Sequence, residues 1–125
     1  MRDEQREQEA MAVNLASEFY AVLAKYLPHT ASLGEIQVLT EVAKGMYADA
    51  PLTVSEVADA TSMNRWSVSR ILMRYIEGGI IVERKDPDDS RKNLLVWTEE
   101  AFKGNREWSA DWLEVWKAGV ERLSP

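Results

Sequence analysis

The sequence predicts a mainly α-helical fold with a small β-wing: a winged helix-turn-helix flanked by a long helix at each end. Three observations lead to this fold class. Two short helical patterns separated by a turn lie between residues 53 and 77. Two strand patterns follow at 80–84 and 93–97, on either side of a charged loop. The flanking segments carry apolar residues at spacings of three and four, which is typical of amphipathic helices.

The first helix is predicted over residues 3–27. Leu15, Phe19 and Leu23 lie four residues apart, so they share one helical face. Pro28 ends the pattern, because the residue before a proline is pushed out of helical geometry. The apolar face of this helix has to be covered by another element.

The second helix is predicted to begin after Ser32. Ser32 and Glu35 have the spacing of a capping box, in which the serine accepts from the third helical amide and the glutamate reaches back. The helix carries the apolar residues Ile36, Leu39, Val42, Ala43 and Met46.

The helix-turn-helix is predicted from a second capping box, Thr53 to Glu56, and a turn over residues 60–63. Asn64 is a favourable N-cap for the next helix. That helix ends at Gly78-Gly79, as C-terminal glycines indicate. Its inward stripe is Val68, Ile71, Leu72, Tyr75 and Ile76.

The wing is predicted from the strands at 80–84 and 93–97, which are joined by residues typical of turns, Asp86-Pro87-Asp88-Asp89-Ser90. Thr98 should cap a last helix that reaches about Leu123. Glu99 and Glu100 fall in its first turn, where the helix dipole favours acidic residues.

The net charge of −6 is distributed unevenly. Residues 61–92 carry 7 basic and 5 acidic side chains, whereas residues 1–60 carry 4 basic and 10 acidic ones. The positive charge thus coincides with the second helix of the helix-turn-helix and the wing. Acidic flanks would repel phosphate and orient the protein on a duplex.

The outward face of the helix over 64–77 is a candidate DNA-contacting surface, since an α-helix fits the major groove. Arg70 at its centre is suited to a guanine edge, and the small Ser67 and Ser69 allow a close approach. Arg65, Arg74 and the first-turn amides suit phosphates. A solvated face with ordinary arginines is the alternative, but the outward Trp66 would then need a cover. Asn64 completes this predicted set.

The wing loop is the second candidate surface. It carries Lys85, Arg91 and Lys92, and an arginine at a hairpin tip can enter a narrow minor groove. Asp89, two residues before Arg91, can hold the guanidinium by a bidentate pair. The alternative is a salt-bridged surface turn without a ligand.

The run GGIIVERKDPDDSRKNLLVWTEEA resembles the wing of the multiple-antibiotic-resistance regulator (MarR) family, as VSEVADATSMNRWSVSRILMRYIEGG resembles its helix-turn-helix. Asp89-Ser90-Arg91 matches the family's Asp-x-Arg element, while Pro87 and Thr98 match its wing proline and threonine. The resemblance spans roughly residues 33–104. Trp66 stands in place of a small residue, and Trp97 and Ala101 replace the usual leucine and glycine.

This resemblance implies a homodimeric transcriptional regulator that binds a pseudo-palindromic site in double-stranded DNA. Recognition helices would enter successive major grooves, and the wing arginines would reach the minor groove. Residues 32–98 would form the DNA-binding lobe. Residues 1–30 and 99–125 would supply the dimerisation helices of a single 125-residue domain.

Three tryptophans four residues apart on the last helix support a dimer. A partner helix could cover Trp108, Trp112 and Trp116 together with Leu15, Phe19 and Leu23, because tryptophan is a strong interface anchor. The alternative is that they pack on the first helix of the same chain.

Relatives often bind a small, frequently aromatic effector. Residues that could line such a site are Tyr20, Tyr26, His29 and Tyr47, although ordinary core and surface roles account for them too.

Composition excludes several other classes. The chain has no cysteine and one histidine, which argues against disulfides, thiol chemistry and a metal site. It has no long apolar run and no signal-peptide pattern, so we expect a cytoplasmic protein without a membrane anchor. It has no nucleophile–base pair or phosphate-binding glycine loop, so neither enzymatic activity nor a cofactor is expected. A winged helix that binds protein instead of DNA is the alternative function.

Overall fold

A computed structural model describes residues 2–123, with side chains from residue 3 onward. These residues form five helices and one two-stranded antiparallel sheet, which confirms the predicted fold class. In chain order the elements are α1 (Arg2–Tyr26), α2 (Leu33–Tyr47), α3 (Val54–Thr61), α4 (Arg65–Glu77), β1 (Ile81–Lys85), β2 (Asn93–Trp97) and α5 (Glu99–Leu123). They divide into two compact units. One comprises residues 31–103, and the other comprises α1 with the part of α5 from Gly104 onward.

The unit of residues 31–103 has one apolar core, to which every one of its elements except the start of α5 contributes. Val68 and Leu72 of α4 are fully buried in it. Burial of such a side chain is worth about 1.5–3 kcal/mol relative to exposure. The inward stripe therefore fixes which face of α4 remains outside. The core cluster is Val38, Val42, Val57, Ala58, Val68, Leu72, Ile81 and Leu95.

The buried face of α2 is not formed by its large apolar residues alone. Its buried residues are Glu35, Val38, Val42 and Gly45, and the partly buried Leu39 packs against the core cluster. Ile36, Leu39, Ala43 and Met46 are half-buried. Gly45 is buried because the chain returns over it: a Cβ there would lie 3.0 Å from the carbonyl oxygen of Ala50.

The first capping box is only half correct. The side chain of Ser32 accepts from the amide of Glu35, as predicted. Glu35 does not reach back to Ser32; its carboxylate points into the unit and accepts from Arg74 and Tyr75. The second box is complete, with Thr53 and Glu56 each binding the other's backbone amide.

The turn of the helix-turn-helix passes through Ser62, whose left-handed backbone (φ 57°) ends α3. Asn64 then caps α4. At the far end of α4, Gly79 has a φ of +76°. Its amide donates to Ile76 and the amide of Ile80 donates to Tyr75, the hydrogen-bond pattern of a Schellman motif. The amide of Ile80 is thus engaged by the end of α4, which explains why β1 begins at Ile81 and not, as predicted, at Ile80.

The wing is a two-stranded ribbon in which Ile81 pairs with Trp97 and Lys85 pairs with Asn93. The segment before α3 also contacts it, since the amide of Leu95 donates to the carbonyl of Leu52 over 2.8 Å. Thr98 joins the base of the wing to the end of α4, because its hydroxyl donates to the carbonyl of Gly79 at 2.9 Å. These bonds hold the wing to the helix-turn-helix.

The second unit contains α1 and most of α5. Among its described residues only Gly119 is buried, and its Cα hydrogens face Leu15. Ion pairs join Lys25 to Asp111 at 3.0 Å and Arg122 to Glu18 at 2.9 Å. Large apolar side chains remain exposed on both helices: Val13, Tyr20, Leu113, Trp116, Val120 and Leu123.

Candidate nucleic-acid interface

The outer face of α4 is exposed, as its inward stripe predicts. Trp66, Arg70, Met73 and Glu77 all lie on it. Ser67 and Ser69, which flank this face, are half-buried, and their small side chains protrude little from the helix. Arg65 at the start of α4 is exposed beside them. The surface therefore presents an indole, an arginine and a methionine in a row along the helix.

Trp66 and Arg70 are not independent side chains. They stand one helical turn apart, and the guanidinium carbon of Arg70 lies 4.9 Å from the centre of the Trp66 ring. A guanidinium at this distance over an indole is held by a cation–π interaction, worth about 0.5–1 kcal/mol at an exposed site. The side chain of Arg70 is thus partly oriented before any ligand arrives.

Asn64 closes the first turn of α4 by its own side chain. Its Oδ1 accepts from the amide of Trp66 at 2.8 Å and from the amide of Ser67 at 3.4 Å. These two amides were expected to face phosphate, and they are already engaged by the cap. The role of Asn64 in the site is therefore to fix where α4 begins.

Arg74 is engaged within the unit. Its guanidinium donates to the carboxylate of Glu35, whose side chain is 3% exposed, while the Arg74 side chain remains 62% exposed. The hydroxyl of Tyr75 donates to the same carboxylate at 2.9 Å. Burial and this hydrogen bond raise the pKa of Tyr75 to about 12. A phosphate contact by Arg74 stays a prediction, and it would have to compete with Glu35.

The wing tip holds its arginine in the predicted way. Arg91 donates through Nε to Asp89 Oδ1 at 3.1 Å and through a terminal nitrogen to Oδ2 at 3.3 Å. The Arg91 amide binds the same carboxylate. These bonds from Arg91 lower the pKa of the Asp89 carboxyl. The side chain of Arg91 is 89% exposed, so it is oriented by Asp89 yet open to a ligand.

The other wing cations lie on the same ribbon. Lys85 ends β1, and Lys92 precedes β2; both are exposed. Arg84, next to Lys85, is exposed as well and was missing from the predicted set. Its position in a basic strand beside the loop was a signal that could have identified it.

The residues expected at a dimer interface lie in the other unit. Phe19 packs on Trp112, with ring centres 4.3 Å apart, and on Trp116 at 5.6 Å. Trp108 stacks on Trp112 at 4.8 Å. Packing within the chain thus accounts for part of this aromatic surface, while Trp116 stays 50% exposed. Leu15 and Leu23 are half-buried.

The residues considered for an effector site have different surroundings. Tyr26 donates to Asp111 at 2.7 Å, and this bond raises the pKa of Tyr26. Tyr20 and His29 are exposed. Tyr47 belongs to the other unit, where it meets Trp97 edge-on at 5.7 Å and Phe102 at 6.2 Å.

Between residues 2 and 123, no helix has the length and apolar character to cross a membrane. Within the same range, no group of three or more histidine, cysteine or acidic side chains is arranged to hold a metal ion.

Solved structures share this arrangement of elements over nearly the whole chain. YusO from Bacillus subtilis superposes with a TM-score of 0.73 at 20% identity, over 99% of this chain and 83% of YusO. A variant of S. aureus MepR bound to an oligodeoxyribonucleotide gives 0.73 at 16% identity, over 97% and 84%. The PcaV transcriptional regulator from Streptomyces coelicolor, in complex with its natural ligand, gives 0.58 at 18% identity, over 90% and 77%.

The chain has the fold of MarR-type regulators. No protein-family model matches the sequence, and no curated protein matches it either. The likeness therefore lies in the fold, and the winged helix with its flanking helices is shared at low sequence identity.

Proposed function

We propose that this chain is a MarR-type transcriptional regulator that binds double-stranded DNA in a sequence-specific manner. It acts as a homodimer on a pseudo-palindromic site. The α4 helix enters the major groove, and Arg91 of the wing reaches the minor groove. The residues of the DNA-binding surface are Asn64, Arg65, Trp66, Ser67, Ser69, Arg70, Arg74, Lys85, Asp89, Arg91 and Lys92. Within this set Asn64 caps α4 and Asp89 holds Arg91.

The exposed face of α4 is the observation that carries this proposal. Val68 and Leu72 anchor the helix from within, so Arg70 points away from the core on a rigid element. Arg91 is held outward on the wing by Asp89. A helix that presents an arginine, next to a ribbon that presents another, suits the two grooves of a duplex. A structure with the same fold contains an oligodeoxyribonucleotide.

The unit formed by α1 and α5 supports the homodimer. Two helices with a single buried residue among those described make a weak core on their own. Exposed apolar side chains as large as Tyr20 and Trp116 mark an interaction surface. A second copy of the same unit would cover them, and two-fold symmetry would place two α4 helices about 34–36 Å apart, one turn of DNA.

A winged helix that binds protein is the second candidate. The net charge of −6 and the exposed Trp66 favour it, because an indole on a surface is a common protein anchor. Salt dependence separates the two. DNA affinity through several phosphates falls with a logarithmic slope near −0.9 per contact, whereas an apolar protein interface lacks this steep dependence.

Selection of bound sites from random duplex DNA tests the proposal. A pseudo-palindrome with half-sites one turn apart is expected. Arg70→Ala and Arg91→Ala should then weaken binding to the selected site, and Arg106→Ala, an exposed arginine of α5, serves as the charge-matched control. No enriched site, or a direct repeat, would contradict the symmetric dimer on DNA.

The dimer is tested separately by sedimentation. Trp116→Ala should shift the chain towards monomer at low micromolar concentration, since Trp116 combines a large apolar side chain with half exposure. Lys117→Ala, at the next position of the same helix, is the control. A monomeric wild-type chain at high concentration would refute the homodimer whatever the DNA result.

A small aromatic effector is a finer part of the proposal. PcaV was solved with its natural ligand and MepR with ethidium bromide. In this chain Tyr47 meets Trp97 and Phe102 edge-on, so a planar molecule bound beside these rings should change tryptophan fluorescence. Titration with ethidium, compared between the wild type and Tyr47→Ala, tests for such binding.

A further inference from the structure

The stack of Trp66 and Arg70 lies outside the core of its unit. Both side chains are exposed, with the indole 66% accessible, and neither belongs to the core cluster. The stack lies in the first half of α4, immediately after the Asn64 cap. In helix-turn-helix proteins the N-terminal residues of the recognition helix are the ones that reach base edges.

The chemistry of the two groups restricts what they can recognise. An indole face is flat and apolar, and the apolar group that base edges present in the major groove is the C5 methyl of thymine. A guanidinium fits guanine, whose O6 and N7 accept two parallel hydrogen bonds. The guanidinium carbon and the indole centre lie 4.9 Å apart, which is more than one but less than two of the steps of about 3.4 Å between successive base pairs.

We infer that Trp66 and Arg70 form one reading unit that selects a thymine adjacent to a guanine in each half-site. Trp66 contacts the thymine methyl, and Arg70 bonds the guanine edge through its N–H groups while its guanidinium lies over the indole. The inference rests on the proposed function and names the base step that the site prefers. Arg65 and Arg70 make this end of α4 positive, which favours DNA over an apolar protein surface as the occupant.

Base analogues test this without changing the protein. In the selected duplex, each thymine is replaced in turn by uracil, which removes the methyl and keeps the pairing. One thymine per half-site, next to a guanine, should lose roughly fourfold in affinity, the effect of one buried methyl group. Replacing the adjacent guanine by 7-deazaguanine should weaken wild-type binding and leave Arg70→Ala unaffected.

The variant Trp66→Ala tests the residue. It should bind the thymine and uracil duplexes equally and should also discriminate less against a changed guanine, because Arg70 has lost its support. Met73→Ala, which removes another exposed apolar side chain from the same face, is the control and should keep the uracil effect. Since Trp66 is exposed, the helical circular dichroism of the variant should equal that of the wild type.

The outcomes distinguish a failure of the proposed function from a failure of the reading unit alone. If selection enriches no site, the proposed function fails, and the reading unit fails with it. If a site is enriched but uracil is tolerated at every position, the inference alone is overturned. It is likewise overturned if the uracil effect persists in Trp66→Ala, or if Trp66 and Arg70 contribute independently in a double-mutant cycle.

Discussion

The guanidinium of Arg74 donates to the carboxylate of Glu35, which lies almost completely buried beneath α4. Tyr75 donates to the same group from the next position of the helix. Glu35 belongs to α2, so these bonds tie the recognition helix to the helix behind it. A rotation of α4 about its axis would break both bonds, and the orientation of its outer face is thereby fixed.

The two sides of this ion pair should respond unequally to mutation. Arg74→Met leaves a buried carboxylate with only the Tyr75 hydroxyl and should cost about 2–4 kcal/mol of unfolding free energy. Glu35→Gln leaves an arginine that water can reach and should cost about 1–2 kcal/mol. Urea unfolding of both variants and of the double variant measures this. Equal costs, or a larger cost for Glu35→Gln, would contradict the asymmetry.

The sequence predicted the helix order and the outer face of α4 because both follow from apolar periodicity. It did not predict two of the buried positions of α2, Glu35 and Gly45. Hydropathy assigns a glutamate and a glycine to the surface. Burial of Glu35 depends on partners 39 and 40 residues away in the sequence, and burial of Gly45 depends on the return of the chain over it.

In the candidate site, too, a contact between residues close in sequence could be predicted, whereas a contact between distant residues could not. The pair of Asp89 and Arg91 is local, and its spacing of two residues was enough to predict it. The partner of Arg74 is distant in sequence, so a role at phosphate was the natural expectation. Helical spacing placed Trp66 and Arg70 on one face, but the contact between them required side-chain positions.

The ionisation of Tyr75 gives a prediction about pH. Its pKa is raised to about 12, so the folded state keeps the proton that the unfolded chain loses near its ordinary value of 10.0. This contribution to stability is therefore complete below pH 10 and is lost as the pH rises towards 12. Tyrosinate absorbance should show a component that titrates near pH 12 and that Tyr75→Phe removes. Tyr26→Phe is the comparison, because the pKa of Tyr26 is raised by Asp111 instead.

Removal of the Asp89 charge should weaken DNA binding, although simple electrostatics predicts the opposite. Asp89→Asn deletes a negative charge near DNA, but it also releases the Arg91 guanidinium that Asp89 holds by two bonds. We expect a loss of roughly three- to tenfold in affinity, which corresponds to the net contribution of one ordinary hydrogen bond.

The neighbouring variant Asp88→Asn makes the same charge change at an exposed position of the same loop. It should bind DNA as well as the wild type or slightly more tightly. The affinities of both variants for one duplex, measured by titration at one salt concentration, show whether Asp89 positions Arg91. If Asp89→Asn and Asp88→Asn strengthen binding equally, Asp89 is only a repulsive charge and has no positioning role.

Two glycines allow backbone conformation to be separated from packing. A Cβ added at Gly104 or at Gly79 would meet nothing within 4 Å. Gly104 lies inside α5, where alanine restricts the unfolded chain and favours the helix, so Gly104→Ala should stabilise by about 0.5–1 kcal/mol. Gly79 has a φ of +76°, which an L side chain resists, so Gly79→Ala should destabilise by about 1–2 kcal/mol. The midpoint of thermal unfolding should rise for Gly104→Ala and fall for Gly79→Ala. A shift of both midpoints in the same direction would show that the space around these positions, and not their backbone conformation, determines the effect.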